Sequence, residues 1–200
     1  IFELRNLTHL SLSYNELSKL EINKFKSTLL TFLDCSNNKI GYLPDDIKKF
    51  KNLKILNLSF NILKQLPKTI KFLKNLRILD CSSNLINKFD SVFFDMKKLY
   101  ELNFAKNKLK HFPNCINSKS PINSLYLSDN SIGDIPEVLG KLKKLETFNY
   151  CNNKIKKIPN SILKLKNSLK HLRLGNNKFS KMQKKIYKKK FPKTEIEWDL

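Results

Sequence analysis

An asparagine recurs at a fixed interval through nearly the whole chain: Asn15, Asn38, Asn61, Asn84, Asn107, Asn130, Asn153 and Asn177. The spacing is 23 residues, and 24 at the last step. Each asparagine is the ninth residue of the pattern L-x-x-L-x-L-x-x-N-x-L-x-x-L, whose copies begin at Leu7, Leu30, Leu53, Leu76, Leu99, Ile122, Leu145 and Leu169. A period of this length means an array in which no unit can bury its apolar face alone and each is completed by its neighbours. Within a unit the fourth and sixth residues, such as Leu56 and Leu58, flank a polar one, Asn57. That alternation is the period of a half-buried strand, so each unit contributes one strand. The ninth residue follows in a turn. An asparagine there carries both donors and an acceptor, so stacked copies can satisfy backbone groups that the turn leaves unpaired.

Past the turn, Leu43-Pro44, Leu66-Pro67, Phe112-Pro113, Ile135-Pro136 and Ile158-Pro159 mark where the chain bends to the outer side. Short helical segments are expected to follow, because pairs such as Ile70 and Leu73, or Ile162 and Leu165, are three apart and face one way from a single helical turn.

This pattern, over residues 1 to 191, resembles the leucine-rich repeat family, and the outer segment L-P-x-x-I-x-x-L looks like the 23-residue Ras-suppressor class of its intracellular members. The resemblance implies an α/β solenoid, a curved array with a parallel β-sheet on the concave face and short helices or turns on the convex face. Glu21, Asp90 and Gln183 stand where the first, fourth and eighth units depart from the proline pattern. Residues 1–6 align with the end of an outer segment, so a preceding repeat is expected before them. Residues 7–191 hold eight repeats, and 192–200 form a capping strand in which Ile196-Glu197-Trp198 follows Leu172-Arg173-Leu174 by 24 residues.

Several kinds of chemistry find no support. The three histidines, His9, His111 and His171, do not cluster at metal-ligand spacing. The four cysteines lack a C-x-x-C pair, and Cys35 and Cys81 occupy the apolar sixth position, two strands apart. Only four glycines are present, and they form no phosphate loop. No catalytic residue, cofactor, metal or small-molecule substrate is therefore expected. Free cysteines and the lack of an apolar run of ~18 residues point to a cytoplasmic or otherwise intracellular protein.

The net charge is +22, from 39 Lys and Arg against 17 Asp and Glu, and only Arg5, Arg77 and Arg173 are arginine. On the inner face, the third and fifth residues of each strand and the two after it place Asp34, Asp80, Glu101 and Asp129 against Lys106 and Arg173. That face is therefore not basic, and the lysines fall on turn and outer positions such as Lys51, Lys74, Lys97, Lys143 and Lys166. Phe32, Ile55 and Ile78 form one apolar column, with Asp34 and Asp80 beside it. The expected partner-binding residues are Tyr14, Phe32, Asp34, Ile55, Asn57, Phe60, Ile78, Asp80, Glu101, Asn103 and Tyr126, and the expected partner is another protein. Small residues dominate the seventh position, leaving room for it to approach. The alternative is an anionic-surface site, for acidic lipid, RNA or acidic protein tails, at Lys184, Lys185, Lys188, Lys189, Lys190 and Lys193. By itself the chain is expected to be a monomer or part of a longer protein.

Overall fold

Three residues of every repeat pair with their counterparts one repeat on, giving nine short parallel strands. They are β1 (His9–Ser11), β2 (Phe32–Asp34), β3 (Ile55–Asn57), β4 (Ile78–Asp80), β5 (Glu101–Asn103), β6 (Ser124–Tyr126), β7 (Thr147–Asn149), β8 (His171–Arg173) and β9 (Glu195–Glu197). The computed structural model describes residues 1–198, so Asp199 and Leu200 of the expected capping segment lie outside the described residues. The sheet order is sequential from β1 to β9, with equal repeat positions opposite one another: Phe32 pairs Ile55, Ile55 pairs Ile78, and Leu172 pairs Ile196. The result is a curved solenoid.

From β1 to β8 the middle residue of each strand is buried and its two neighbours face outward. Behind the sheet lies one continuous core of the leucines and isoleucines of the pattern. Where the fourth and fifth repeats meet, Phe89, Phe93, Phe94, Phe104 and Phe112 replace aliphatic residues and pack with ring centroids 5.1–5.9 Å apart.

The asparagine column performs the expected work. Asn61 donates to the carbonyls of Cys35 at 2.9 Å, Leu58 at 3.1 Å and Ser59 at 3.1 Å, while its Oδ1 accepts from Ile40 N–H at 2.9 Å. While the Asn15 side chain bonds only within its own turn, each asparagine from Asn38 onward thus ties its own turn to the preceding one. Removing it would strand several buried groups at about 1–3 kcal/mol each.

The outer layer is built from short 3-10 helices. Four of them, Asp45–Lys49, Lys68–Phe72, Glu137–Lys141 and Asn160–Leu165, open after Pro44, Pro67, Pro136 and Pro159. Each proline holds the entering chain at φ between −67° and −74°, the value its ring imposes. The fourth repeat reaches the same turn differently, since Asp90 accepts from Val92 N–H at 3.0 Å and so caps Ser91–Asp95 with its side chain. The fifth repeat corrects the expectation of a helix. After Pro113 the chain passes through turns, because Asn117 accepts from Lys119 N–H and its carbonyl takes Ser120 N–H just before Pro121, an arrangement favoured by Asn and Ser over helix. Gly140 is needed where two outer segments touch, since a Cβ there would lie 2.4 Å from Ser161 O.

The eighth repeat ends differently, in an α-helix, α1 (Lys181–Lys190), opened by a reciprocal capping box between Ser180 and Gln183. Strand β9 then pairs with β8, and Trp198 packs edge-on against Phe179 at 5.4 Å and stacks on Tyr187 at 6.2 Å.

Candidate protein-binding face

The outward residues of the strands lie in two columns on the concave sheet. Phe32, Ile55 and Ile78 sit side by side in the first and are half-buried. None belongs to the core cluster, and His9 stacks over one side of Phe32 with centroids 6.1 Å apart. The second column holds Asp34, Asn57, Asp80, Asn103 and Tyr126.

That second column has a structural task which periodicity did not reveal. The Oδ1 atoms of Asp34, Asn57, Asp80, Asn103 and Asn149 each accept the backbone N–H two residues on, at 2.8–3.1 Å. This Asx turn bends the chain out of these five strands. Asp34, Asn57, Asp80 and Asn103 thus each form a turn through Oδ1 as well as lying on the outward face. Asn103 also donates to the second carboxylate oxygen of Asp80 at 3.1 Å. The second oxygen of Asp34 accepts no hydrogen bond among the described residues.

Next along the chain, the seventh position is less open than its small residues imply. Ser36, Ser59 and Cys151 are buried, whereas Ser13, Ser82, Ala105 and Ser128 are half-buried, so the column is open only in part. The eighth residue of every repeat adopts left-handed backbone, with φ between 53° and 56°. Asn37, Asp129, Asn152 and Asn176 suit that conformation, whereas Tyr14 and Phe60 do not, since bulky side chains are disfavoured there by about 1–2 kcal/mol. Tyr14 is 81% exposed and Phe60 53%, so neither recovers that cost by burial. Tyr42 and Ile62 are also exposed on the second and third repeats. They fall outside the repeated pattern, and no periodic signal marked them.

The acids and thiols behave as their surroundings dictate. Partial burial, reinforced by the neighbouring Asp80 charge, pushes the Glu101 carboxyl up. Burial, followed by Asp34, pushes the Cys35 thiol up to about 12, and burial, followed by Asp80, holds Cys81 well above the ordinary range. Both stay protonated and unreactive. At the far end His171 meets Glu195 at 2.8 Å and Arg173 meets Glu197 at 3.0 Å. The described residues contain no group of three or more His, Cys, Asp and Glu placed to hold a metal ion.

Comparison with known proteins agrees with this geometry. The family description "Leucine Rich repeats (2 copies)" matches residues 28–72, and "Leucine Rich Repeat" matches 6–27 and 122–142. The chain is a leucine-rich repeat protein. A leucine-rich repeat protein of Leptospira interrogans superposes with TM-score 0.71 at 28% identity, over 98% of this chain and 61% of that one. An internalin of Listeria monocytogenes shares the fold with TM-score 0.82 at 21% identity, over 99% of this chain and 56% of that one. The ectodomain of a plant membrane receptor kinase from Arabidopsis thaliana gives TM-score 0.74 at 30% identity, over 86% of this chain and 22% of that one. This repeat protein thus spans less than two thirds of the length of each. A comparison with curated proteins returns no sequence match. No helix among the described residues is long and apolar enough to cross a membrane.

The lysines of the alternative site divide into two groups. Lys185, Lys188, Lys189 and Lys190 of α1 are exposed, as is Lys193 beyond it. Lys184 is half-buried, with its ammonium 6.0 Å from the centre of the Trp198 ring, so it does not join them.

Proposed function

We propose that this protein is a non-catalytic intracellular scaffold, similar to the Ras-suppressor class of repeat proteins, that captures a protein partner on the concave face of β2 to β4. The observation that carries the reading is the register of Phe32, Ile55 and Ile78, three adjacent apolar side chains outside the core, beside Asp34 and Asp80. Contiguous apolar surface of this kind is characteristic of interaction sites, and single scattered hydrophobes are not. The two carboxylates favour a partner that carries Lys or Arg next to its apolar anchors. Tyr14 and Phe60 support the same reading, since each keeps a disfavoured backbone conformation while its ring stays in solvent.

Further support comes from the acidic inner face, which repels a phosphate backbone, and from Cys35 and Cys81, whose buried thiols stay protonated behind the site. The Arabidopsis ectodomain is solved in complex with Casparian strip integrity factor 2, a precedent for partner capture on this fold.

The test is capture of a partner from native lysate, followed by titration of that partner against Phe32→Ala combined with Ile78→Asp. Each anchor is expected to contribute more than about 1 kcal/mol, so affinity should fall at least ~30-fold with the fold intact. Undiminished affinity in this variant would refute the assignment.

A further inference from the structure

Helix α1 stands apart from the concave face and has two unlike sides. Its inner side is fixed to the array: Gln183 donates to Lys156 O at 3.0 Å, and the Tyr187 hydroxyl accepts from Ile158 N–H at 3.0 Å. Those contacts set the rotation of the helix about its axis. The opposite side carries two adjacent rows of i, i+4 neighbours, Lys181-Lys185-Lys189 and Met182-Ile186-Lys190. Met182 is 73% exposed and Ile186 40%, an apolar pair held in water and bordered by lysines. The helix itself has no acidic residue, and the nearest following acids, Glu195 and Glu197, are held by His171 and Arg173.

We propose that this outer side of α1 is a peripheral docking site for an anionic lipid bilayer, with Met182 and Ile186 entering the acyl boundary and Lys181, Lys185, Lys189 and Lys190 meeting the headgroups. A helix with one apolar stripe on a lysine-rich face lies in the plane of the membrane interface, where lipid charge relieves the repulsion among its lysines. The same face is poorly suited to RNA. It presents no arginine and no exposed aromatic ring for base stacking, since Tyr187 is turned toward the array.

The test is co-sedimentation of the 200-residue chain with vesicles of pure phosphatidylcholine and of phosphatidylcholine with about 30 mol% phosphatidylserine, at about 0.1 M salt. Binding is expected only with phosphatidylserine present. Each lysine near an anionic surface is worth about fivefold in partitioning, so Lys185→Gln, Lys189→Gln and Lys190→Gln together should lower it by roughly 100-fold. Met182→Ser with Ile186→Ser keeps every charge and should still lose at least about tenfold. Circular dichroism and melting should be unchanged in both variants, because the substituted side chains are exposed. Failure to bind phosphatidylserine vesicles would overturn the proposal. So would wild-type binding by the double serine variant, or binding of poly(U) as tight as that of the vesicles, since either marks an unselective polyanion contact.

Discussion

From β2 to β8 the concave sheet repeats one backbone, yet its two halves present different surfaces. Over β2 to β4 the outward residues are Phe32, Ile55 and Ile78 with Asp34 and Asp80, and neither carboxylate has an ion-pair partner among the described residues. Over β6 to β9 the first column turns polar, through Ser124, Thr147, His171 and Glu195. There the charges satisfy one another. His171 pairs with Glu195, Arg173 with Glu197, and the turn edge is linked by Asn152 donating to Asp129 and Asn176 donating to Asn152, both at 2.8 Å. The first half keeps an apolar column and, on Asp34, a carboxylate oxygen with no hydrogen bond among the described residues, and the second pairs its charges internally. A repeat scaffold can therefore carry different surfaces on different strands without changing its backbone.

The largest effects should be the same in both halves, since the scaffold is shared. Asn61→Leu and Asn153→Leu each remove four hydrogen bonds to backbone groups, so each should cost roughly 3 kcal/mol and lower the melting temperature by about 6–12 °C. A much smaller loss in one half would break the premise of a common frame. Next in size is the effect on binding. Phe32→Ala with Ile78→Asp should cost about 2 kcal/mol or more in partner affinity, while Thr147→Ala with His171→Ala should leave it within about twofold. Equal losses from both pairs would erase the distinction between the halves.

Smaller changes sharpen the contrast. In the second half the core residue Tyr150 buries a hydroxyl with no hydrogen-bond partner among the described residues, whereas its counterparts in the first half are Cys35, Leu58 and Cys81. Tyr150→Phe should therefore raise stability by about 1 kcal/mol, as read from a denaturant midpoint. The smallest effect lies at the border, at Glu101. Its carboxyl is raised by partial burial and then by Asp80, so the contribution of this one group to stability is greatest at low pH and declines as pH rises through the raised value. Glu101→Gln should then melt slightly higher than wild type at pH 7, and the gap should close below about pH 4. A gap that widens toward low pH would reverse the assigned sign.

Much of this was legible in the sequence because repetition supplies its own control. Eight copies of one spacing distinguish the leucines that must be buried from the residues between them, and an asparagine at the ninth position of every copy points to a polar role inside the turn. The columns could be written down before any coordinate, since parallel strands in register place equal positions opposite one another. What single positions do within that frame was less legible. Asp90 looked like a lost proline and proved to be a side-chain cap, while the outer segment after Pro113 looked helical and proved to be turns.

The sequence by itself determined the solenoid, its core, its asparagine ladder and the apolar column at Phe32, Ile55 and Ile78, because all of these follow from period alone. Only the tertiary structure decided which outward groups remain available. Both oxygens of Asp80 accept hydrogen bonds while only one of Asp34 does, Ser59 and Cys151 are buried, and Lys184 is turned toward Trp198. The rotation of α1, which leaves Met182 and Ile186 in water, belongs to the same class, since it is set by contacts to Lys156 and Ile158 nearly thirty residues earlier. Periodicity tells which way a side chain leaves the backbone, and whether it then meets protein or solvent depends on neighbours distant in the chain.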